Sequence, residues 1–396
     1  MRARMLESGG FWRALFSVLA GLLLAALLMK ASGYDVGAAL SALWSGATGI
    51  APGPSRGPNQ IPIGIGAWKA HLDKFVLAQS LARATPLIWA GLSVALALRG
   101  GLFNIGAQGQ LIVGALAAAV VGMLGKGSEA GGDVTGGWPP WLHVPLTLLT
   151  GAAAGAVWGA IPGWLKARRG VHEVLSTILL NYIAADIASY LVTHGLKDPN
   201  SHSMAPQTGL MAASAWLTPA VPGSNLTVGL LLAVTAAALV AFLLQRTALG
   251  YEIRAVGLGQ AAAEATGIPA VRTLVVTMGL AGALAGLAGA VEVMGVHHRY
   301  VPGVAATYGF DGIAVALLGG LTGSGTVASG LFFGLLASGA SGMQRSTDVP
   351  DAITVIVQAV VILVIGVRYL RKRALPPLVA AVLDTDERRE EDADRI

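Results

Sequence analysis

Cysteine is absent from all 396 residues. That excludes disulfides, iron–sulfur clusters and thiolate metal sites. Charge is scarce too. Asp, Glu, Lys and Arg together make up 12% of the chain, against roughly 25% in ordinary soluble domains. Hydrophobic residues reach 54%, so the chain reads as an integral membrane protein. A net charge of +5 suits basic loops on one membrane face and does not imply nucleic-acid binding. No GxxxxGK[ST] phosphate loop is present. Gly320-Leu-Thr-Gly-Ser-Gly-Thr326 is glycine-rich but has no lysine, so ATP hydrolysis is not expected of this chain. No Ser/His/Asp arrangement stands out, and no cofactor site is expected. The His297-His298 pair lacks a carboxylate or further histidine at ligand spacing, so no metal site is expected either.

What is present is a series of apolar runs. At about 20 residues per crossing, ten candidate spans emerge: 11–29, 80–98, 102–124, 144–165, 173–193, 226–245, 273–293, 308–321, 325–344 and 351–368. The start resembles a secretory signal, but its apolar stretch is long and more membrane protein follows, so it reads as an uncleaved first span. Residues 308–344 fit two short spans with a tight turn at Leu321–Gly325, or one span and a re-entrant loop. With the N-terminus inside, 17 of the 26 basic residues fall on the cytoplasmic face. These include Arg99, Lys166, Arg168, Arg169, Arg254 and Arg272, and both termini are then cytoplasmic. The segment 30–79 becomes an extended outer loop of turn chemistry. The tail 371–396 is charged and is expected to be mostly disordered.

One stretch breaks the apolar pattern. Gly100 to Gly114 carries Asn104, Gln108 and Gln110 among repeated glycines. Unpaired amides in hydrocarbon are costly. Placed on a helix, Asn104 and Gln108 share a face, and the three amides run from the inner mouth to the midplane. They are either interhelical packing groups or the wall of a polar path. Asn181 in the fifth span and Asp311 near the start of the eighth are further intramembrane polar candidates. Asp311 either lines the path or binds a backbone amide at a helix start. Glu173 is expected in the first turn of span five, where its charge suits the helix dipole. Glu292 is expected to be wet at the outer end of span seven.

The longest inner loop, 245–272, is too poor in apolar bulk to insert. Gln260 to Thr266 contains strong helix formers, and Gly267 with Pro269 should stop that helix. Glu252, Arg254 and Glu264 should be exposed. On composition alone this is a solvated connector.

A resemblance adds to that reading. Leu249-Gly-Tyr-Glu-Ile-Arg-Ala-Val-Gly257, followed by Ala262-Ala-Glu-Ala-Thr-Gly-Ile268, resembles the cytoplasmic coupling loop of permease subunits in ATP-binding-cassette importers. Gly101-Leu-Phe-Asn-Ile-Gly-Ala-Gln-Gly-Gln110, Glu173-Val-Leu-Ser-Thr-Ile-Leu-Leu-Asn-Tyr-Ile183 and Gly309-Phe-Asp-Gly-Ile-Ala-Val-Ala-Leu-Leu-Gly319 are similar to the nucleoside and simple-sugar branch. His172 departs from the Asn usual before that Glu. The resemblance spans about residues 80–370.

It implies an all-α integral membrane protein of the type II importer permease fold. That fold has about ten transmembrane helices in two inverted-repeat halves, with 1–396 as one permease domain. The halves are also hinted at by Phe103-Asn104 and Phe310-Asp311, each opening a Gly-rich span. It implies a translocation subunit, not an enzyme, for nucleosides, in the bacterial inner membrane. Simple sugars or branched-chain amino acids are the alternative ligands. The implied partners are two ATP-binding-cassette ATPase subunits, a second and shorter permease, and an extracytoplasmic substrate-binding lipoprotein. Coupling falls to Glu252, Arg254, Gly257, Glu264 and Gly267, and the path to Asn104, Gln108, Gln110, Asn181 and Asp311. A secondary transporter or channel is the reading of another class. It fits less well, since ion coupling usually needs buried carboxylates and only Asp186 and Asp311 qualify.

Overall fold

The structure, a computed structural model, describes residues 19–53, 59–63, 70–124, 137–197, 206–347, 349–350, 355–356 and 359. The chain divides into two compact units, Met1–Ser32 with Ala352–Ile396, and Gly33–Asp351. In the first, helix α1 covers Leu19–Ala31. The expected tenth span lies almost entirely outside the described residues, and the tail 371–396 wholly so.

The second unit begins where a loop was expected. Helix α2 (Val36–Thr48) starts because the Asp35 carboxylate accepts the N–H groups of Gly37 and Ala38 at 2.9 and 3.1 Å. It stops at Gly49, whose φ of 73° only glycine adopts freely. Three short strands follow, β1 (Ile50–Pro52), β2 (Gln60–Ile63) and β3 (Ala70–Asp73), in an antiparallel sheet of order β1-β3-β2. Leu72 pairs with Ile50 on one side and Ile61 on the other. The described residues of 30–79 therefore form a helix and strands rather than one loop, and the all-α expectation is corrected by this small sheet. The Pro- and Gly-rich composition hides strands of three or four residues.

The bundle proper contains α3 (Lys74–Arg99), α4 (Ala107–Met123), α5 (Pro140–Arg169), α6 (Glu173–His194), α7 (Gly229–Arg246), α10 (Ala270–Glu292), α11 (Tyr308–Leu318) and α12 (Gly323–Thr347), with α8 (Ala248–Leu258) and α9 (Gln260–Ala265) between α7 and α10. Among the described residues, α3, α5, α6, α7, α10 and α12 are long and apolar enough to cross a membrane. At 1.5 Å per residue, the 11 residues of α11 reach only about 16 Å, half of a roughly 30 Å core. So residues 308–347 form two helices, but the first is a half-length one. The turn between them uses Gly320 and Leu321, both at positive φ.

Small residues set the packing. Helix α10 packs most extensively on α5. Gly151, Gly155 and Gly159 of α5 face Gly282 and Gly286 of α10. A side chain on Gly155 would strike the Gly282 carbonyl oxygen and come within 2.7 Å of the Gly286 Cα. Gly114 of α4 also packs on the Gly286 backbone. In lipid, where apolar burial does not favour helix association over lipid contact, such close backbone approach supplies the attraction.

Candidate translocation and coupling site

Two interruptions organise the polar residues. The first lies between α3 and α4. Helix α3 ends at Arg99, Gly101 turns with φ of 74°, and α4 starts only at Ala107. The expected helix over 102–124 thus loses its first turn, and Asn104 does not share a helix face with Gln108. The glycines at 100, 101 and 106 stop the helix before any depth counted along its axis applies.

Instead, Asn104 and Gln110 form a closed amide pair. Asn104 Nδ2 donates to Gln110 Oε1 at 2.9 Å, and Gln110 Nε2 donates back to Asn104 Oδ1 at 3.1 Å. Asn104 Nδ2 also lies 3.3 Å from Ser93 Oγ on α3. Both amides are buried, at 0% and 1% exposure. Asn181 reaches across from α6. Its Oδ1 accepts the Gly109 N–H at 2.8 Å and its Nδ2 donates to the Ile105 carbonyl at 3.1 Å. One side chain thereby satisfies a free donor in the first turn of α4 and a carbonyl in the break.

The second interruption lies between α10 and α11. A π-helical turn, Val293–His297, closes α10, and such turns often occur at functional sites. Residues 298–307 follow as a non-helical segment with His298, Gly303 and Ala306 at positive φ. The His298 ring stacks on Trp216 at 3.9 Å, and its Nδ1 sits 3.1 Å from the Met294 carbonyl. Burial lowers its pKa below the usual histidine value. Thr307 Oγ1 donates to Asp311 Oδ2 at 2.7 Å on the exposed side of α11. Asp311 therefore binds a side-chain hydroxyl, not a backbone amide.

Gln108 joins the two interruptions. Its Nε2 donates to the Ala306 carbonyl at 2.7 Å, and its Oε1 accepts the Gly309 N–H at 2.8 Å. Gly309 packs directly on the Gln108 backbone, leaving no room for a side chain there. The first turns of α4 and α11 are thus tied by one buried side chain.

The inner-loop residues meet the first interruption at its base. Gly257, in the last turn of α8, rests on the Arg99 carbonyl and on Gly100 and Gly101. Any side chain there would strike the Arg99 oxygen and lie 2.9 Å from the Gly101 nitrogen. Arg99 Nε donates to the Leu321 carbonyl at 3.0 Å, which adds the α11–α12 turn to the same junction. Helix α9 stops at Gly267 with φ of 88°, in agreement with the sequence. Helix α8 was not anticipated. Thr247 caps it by accepting the Gly250 N–H at 3.1 Å. Glu264 and Gly267 are exposed, while Glu252 and Arg254 are half-buried rather than exposed. Leu258, the last residue of α8, stands 92% exposed.

Three further acids lie on α6 and α10. Glu173 opens α6 just after the Gly170 turn, with Lys166 Nζ 2.9 Å from its carboxylate. Glu292 is buried at 6% exposure, not wet, with His297 Nε2 at 3.6 Å. Sequence position suggested the end of a span, whereas the π turn prolongs the helix and keeps Glu292 inside. Asp186 points outward from α6.

Long apolar helices, glycine seams and paired helix breaks define a multi-pass membrane protein with a polar interior junction. Residues 76–366 match the family described as "Branched-chain amino acid transport system / permease component". The chain belongs to that family. It is a translocation component rather than an enzyme, and permeases of this kind work with ATPase and substrate-binding partners. The chain is 37% identical to the guanosine ABC transporter permease protein NupP of Bacillus subtilis over 90% of its own length and 92% of the relative's. It is 36% identical to the nucleoside ABC transporter permease protein NupB of Lactococcus lactis, over 76% and 81%. It is also 36% identical to the glucose ABC transporter permease protein TsgB13 of Haloferax volcanii, over 74% and 76%. No solved structure matches the chain.

Proposed function

We propose that this permease passes nucleosides inward through a bacterial inner membrane, driven by ATPase subunits that press on residues 245–272. The observation that carries the coupling assignment is the seat of Gly257 on the Arg99–Gly101 turn. A push on α8 and α9 then reaches Asn104 and α4 through backbone contact, and reaches α11 through Gln108. Glu252, Arg254, Glu264 and Gly267 lie on the same two short helices or at their end. In this reading Asn104, Gln110 and Asn181 hold the shape of the inner gate, Gln108 links its two parts, and Asp311 faces the path.

Packing supports two inverted halves. Helix α3 packs on α11 and α12, and α10 packs on α4 and α5. Matching α3–α5 with α10–α12 makes those two sets equivalent, as an exchange between repeats requires. With α1, and with the expected span at 351–368 that lies almost entirely outside the described residues, the count approaches ten crossings, with both termini cytoplasmic. The pair mate is a second, shorter permease, and a lipoprotein delivers the ligand outside.

The nucleoside assignment draws on the names of the Bacillus and Lactococcus relatives. The Haloferax relative keeps a simple sugar as the second reading. Ligand binding by the partner extracytoplasmic protein decides between them. Binding of nucleosides supports the first, and binding of sugars alone overturns it. Co-purification with an ATPase and a second permease is the matching test of the assembly, since a functional lone chain would make it a secondary transporter.

A further inference from the structure

We propose that the cleft beside α9 is a binding site for one anionic phospholipid of the leaflet next to the coupling helices. The cleft has a volume of about 700 Å³ and lies where α5 ends and α10 begins. Its wall is apolar, from Trp164, Ile268, Val271 and Val275, and its rim carries Arg168 and Arg272. Both arginines are exposed, and neither has an ion-pair partner among the described residues. Glu264 also borders the cleft, with its Oε1 accepting from Gln260 Nε2 at 3.1 Å. Two guanidiniums against one carboxylate leave the rim positive.

The placement fits a lipid better than a small anion. Trp164 is one helical turn before Arg168, about 6 Å towards the apolar core, the depth at which interfacial tryptophans sit. A phosphate between Arg168 and Arg272 would gain planar, two-pronged hydrogen bonds. Its acyl chain would then cover the Val271 and Val275 face of α10, which a free phosphate would leave bare. Basic pockets between transmembrane helices bind acidic headgroups by this combination. A lipid held there touches Glu264 and Gly267, so it would steady α9 where the ATPase acts. That consequence rests on the coupling reading above, whereas the binding itself does not.

The purified complex, stripped of lipid in detergent, can be titrated with dioleoyl phosphatidylglycerol and followed by native mass spectrometry. The expected result is one tightly held lipid whose affinity falls roughly 30-fold in R168Q/R272Q, as two headgroup cations are lost. R169Q should keep it, because Arg169 does not line the cleft. Equal lipid retention in R168Q/R272Q overturns the site. So does equal binding of dioleoyl phosphatidylcholine, which would make the cleft a general apolar groove, or displacement by inorganic phosphate, which would make it a plain anion site. Loss of the ATPase subunits from R168Q/R272Q with lipid unchanged would assign the cleft to protein contact instead.

Discussion

The two interruptions of the bundle are built alike and finished differently. Between α3 and α4 the break is sealed: Asn104, Gln110 and Asn181 are buried, and their amides are bonded to one another or to the backbone. Between α10 and α11 the break is longer, holds three residues at positive φ, and ends in a pair of exposed Thr307 and half-buried Asp311. A sealed break can be carried as a rigid piece by whatever presses on it. An open break leaves polar groups for a passing ligand. Helix α8 touches the sealed one, through Gly257, and Gln108 bonds the two breaks together; on the proposed reading a push on α8 would travel along that connection to the open one.

Substitutions can break or sharpen that contrast. The largest effect is expected at the contact between α8 and the sealed break. Gly257→Val overpacks the Arg99–Gly101 turn by about 1–3 kcal/mol. If that strain falls on coupling, uptake per ATP hydrolysed should drop roughly 5- to 150-fold. Parallel assays of hydrolysis and uptake in proteoliposomes check this, and unchanged uptake would remove Gly257 from the coupling route.

Next come the amides of the sealed break. Asn104→Leu leaves the buried Gln110 amide unpaired, at about 1–3 kcal/mol. Asn104→Leu with Gln110→Leu should recover part of that loss, because the two are one unit. Thermal unfolding of the complex in nanodiscs measures the recovery. Simple additivity of the two losses would contradict the closed pair.

Gln108→Leu should cost a similar amount to stability, and it should also disconnect the breaks. It removes the bonds to Ala306 and Gly309, so uptake should fall further than in a variant of equal stability elsewhere. Full uptake by Asn104→Leu with Gln108→Leu would reduce the whole stretch to interhelical packing.

The smallest stability change is expected in the open break. Asp311→Asn keeps an acceptor for the exposed Thr307 hydroxyl, and should change stability by less than about 0.5 kcal/mol. Its effect should appear as a raised ligand concentration for half-maximal uptake. A stability loss as large as that of Asn104→Leu would erase the difference between the two breaks.

Much of this was legible in the sequence, and the misses share a cause. The apolar runs located α3, α5, α6, α7, α10 and α12, because hydropathy over some 20 residues is a local sum. The stop at Gly267 was legible for the same reason. The strands of the 50–73 sheet were not, since each is stabilised by partners seven or more positions away. Glu292 and Arg254 were misplaced because exposure depends on which neighbour covers them. Helix α8 was missed because its seat on Arg99–Gly101 is a tertiary contact.

The sequence by itself determined that this chain lives in a membrane, carries few charges there, and bears the motifs of a permease family. Composition and helix-stop chemistry act within a few turns, so they need no fold to be read. Only the tertiary structure decided what the amides do. Asn104 could have faced a pore or a partner, and the break at Gly100–Gly106 turned it towards Gln110 instead. Whether a buried amide is a wall or a clasp depends on the distance to its nearest donor, and the fold sets that distance.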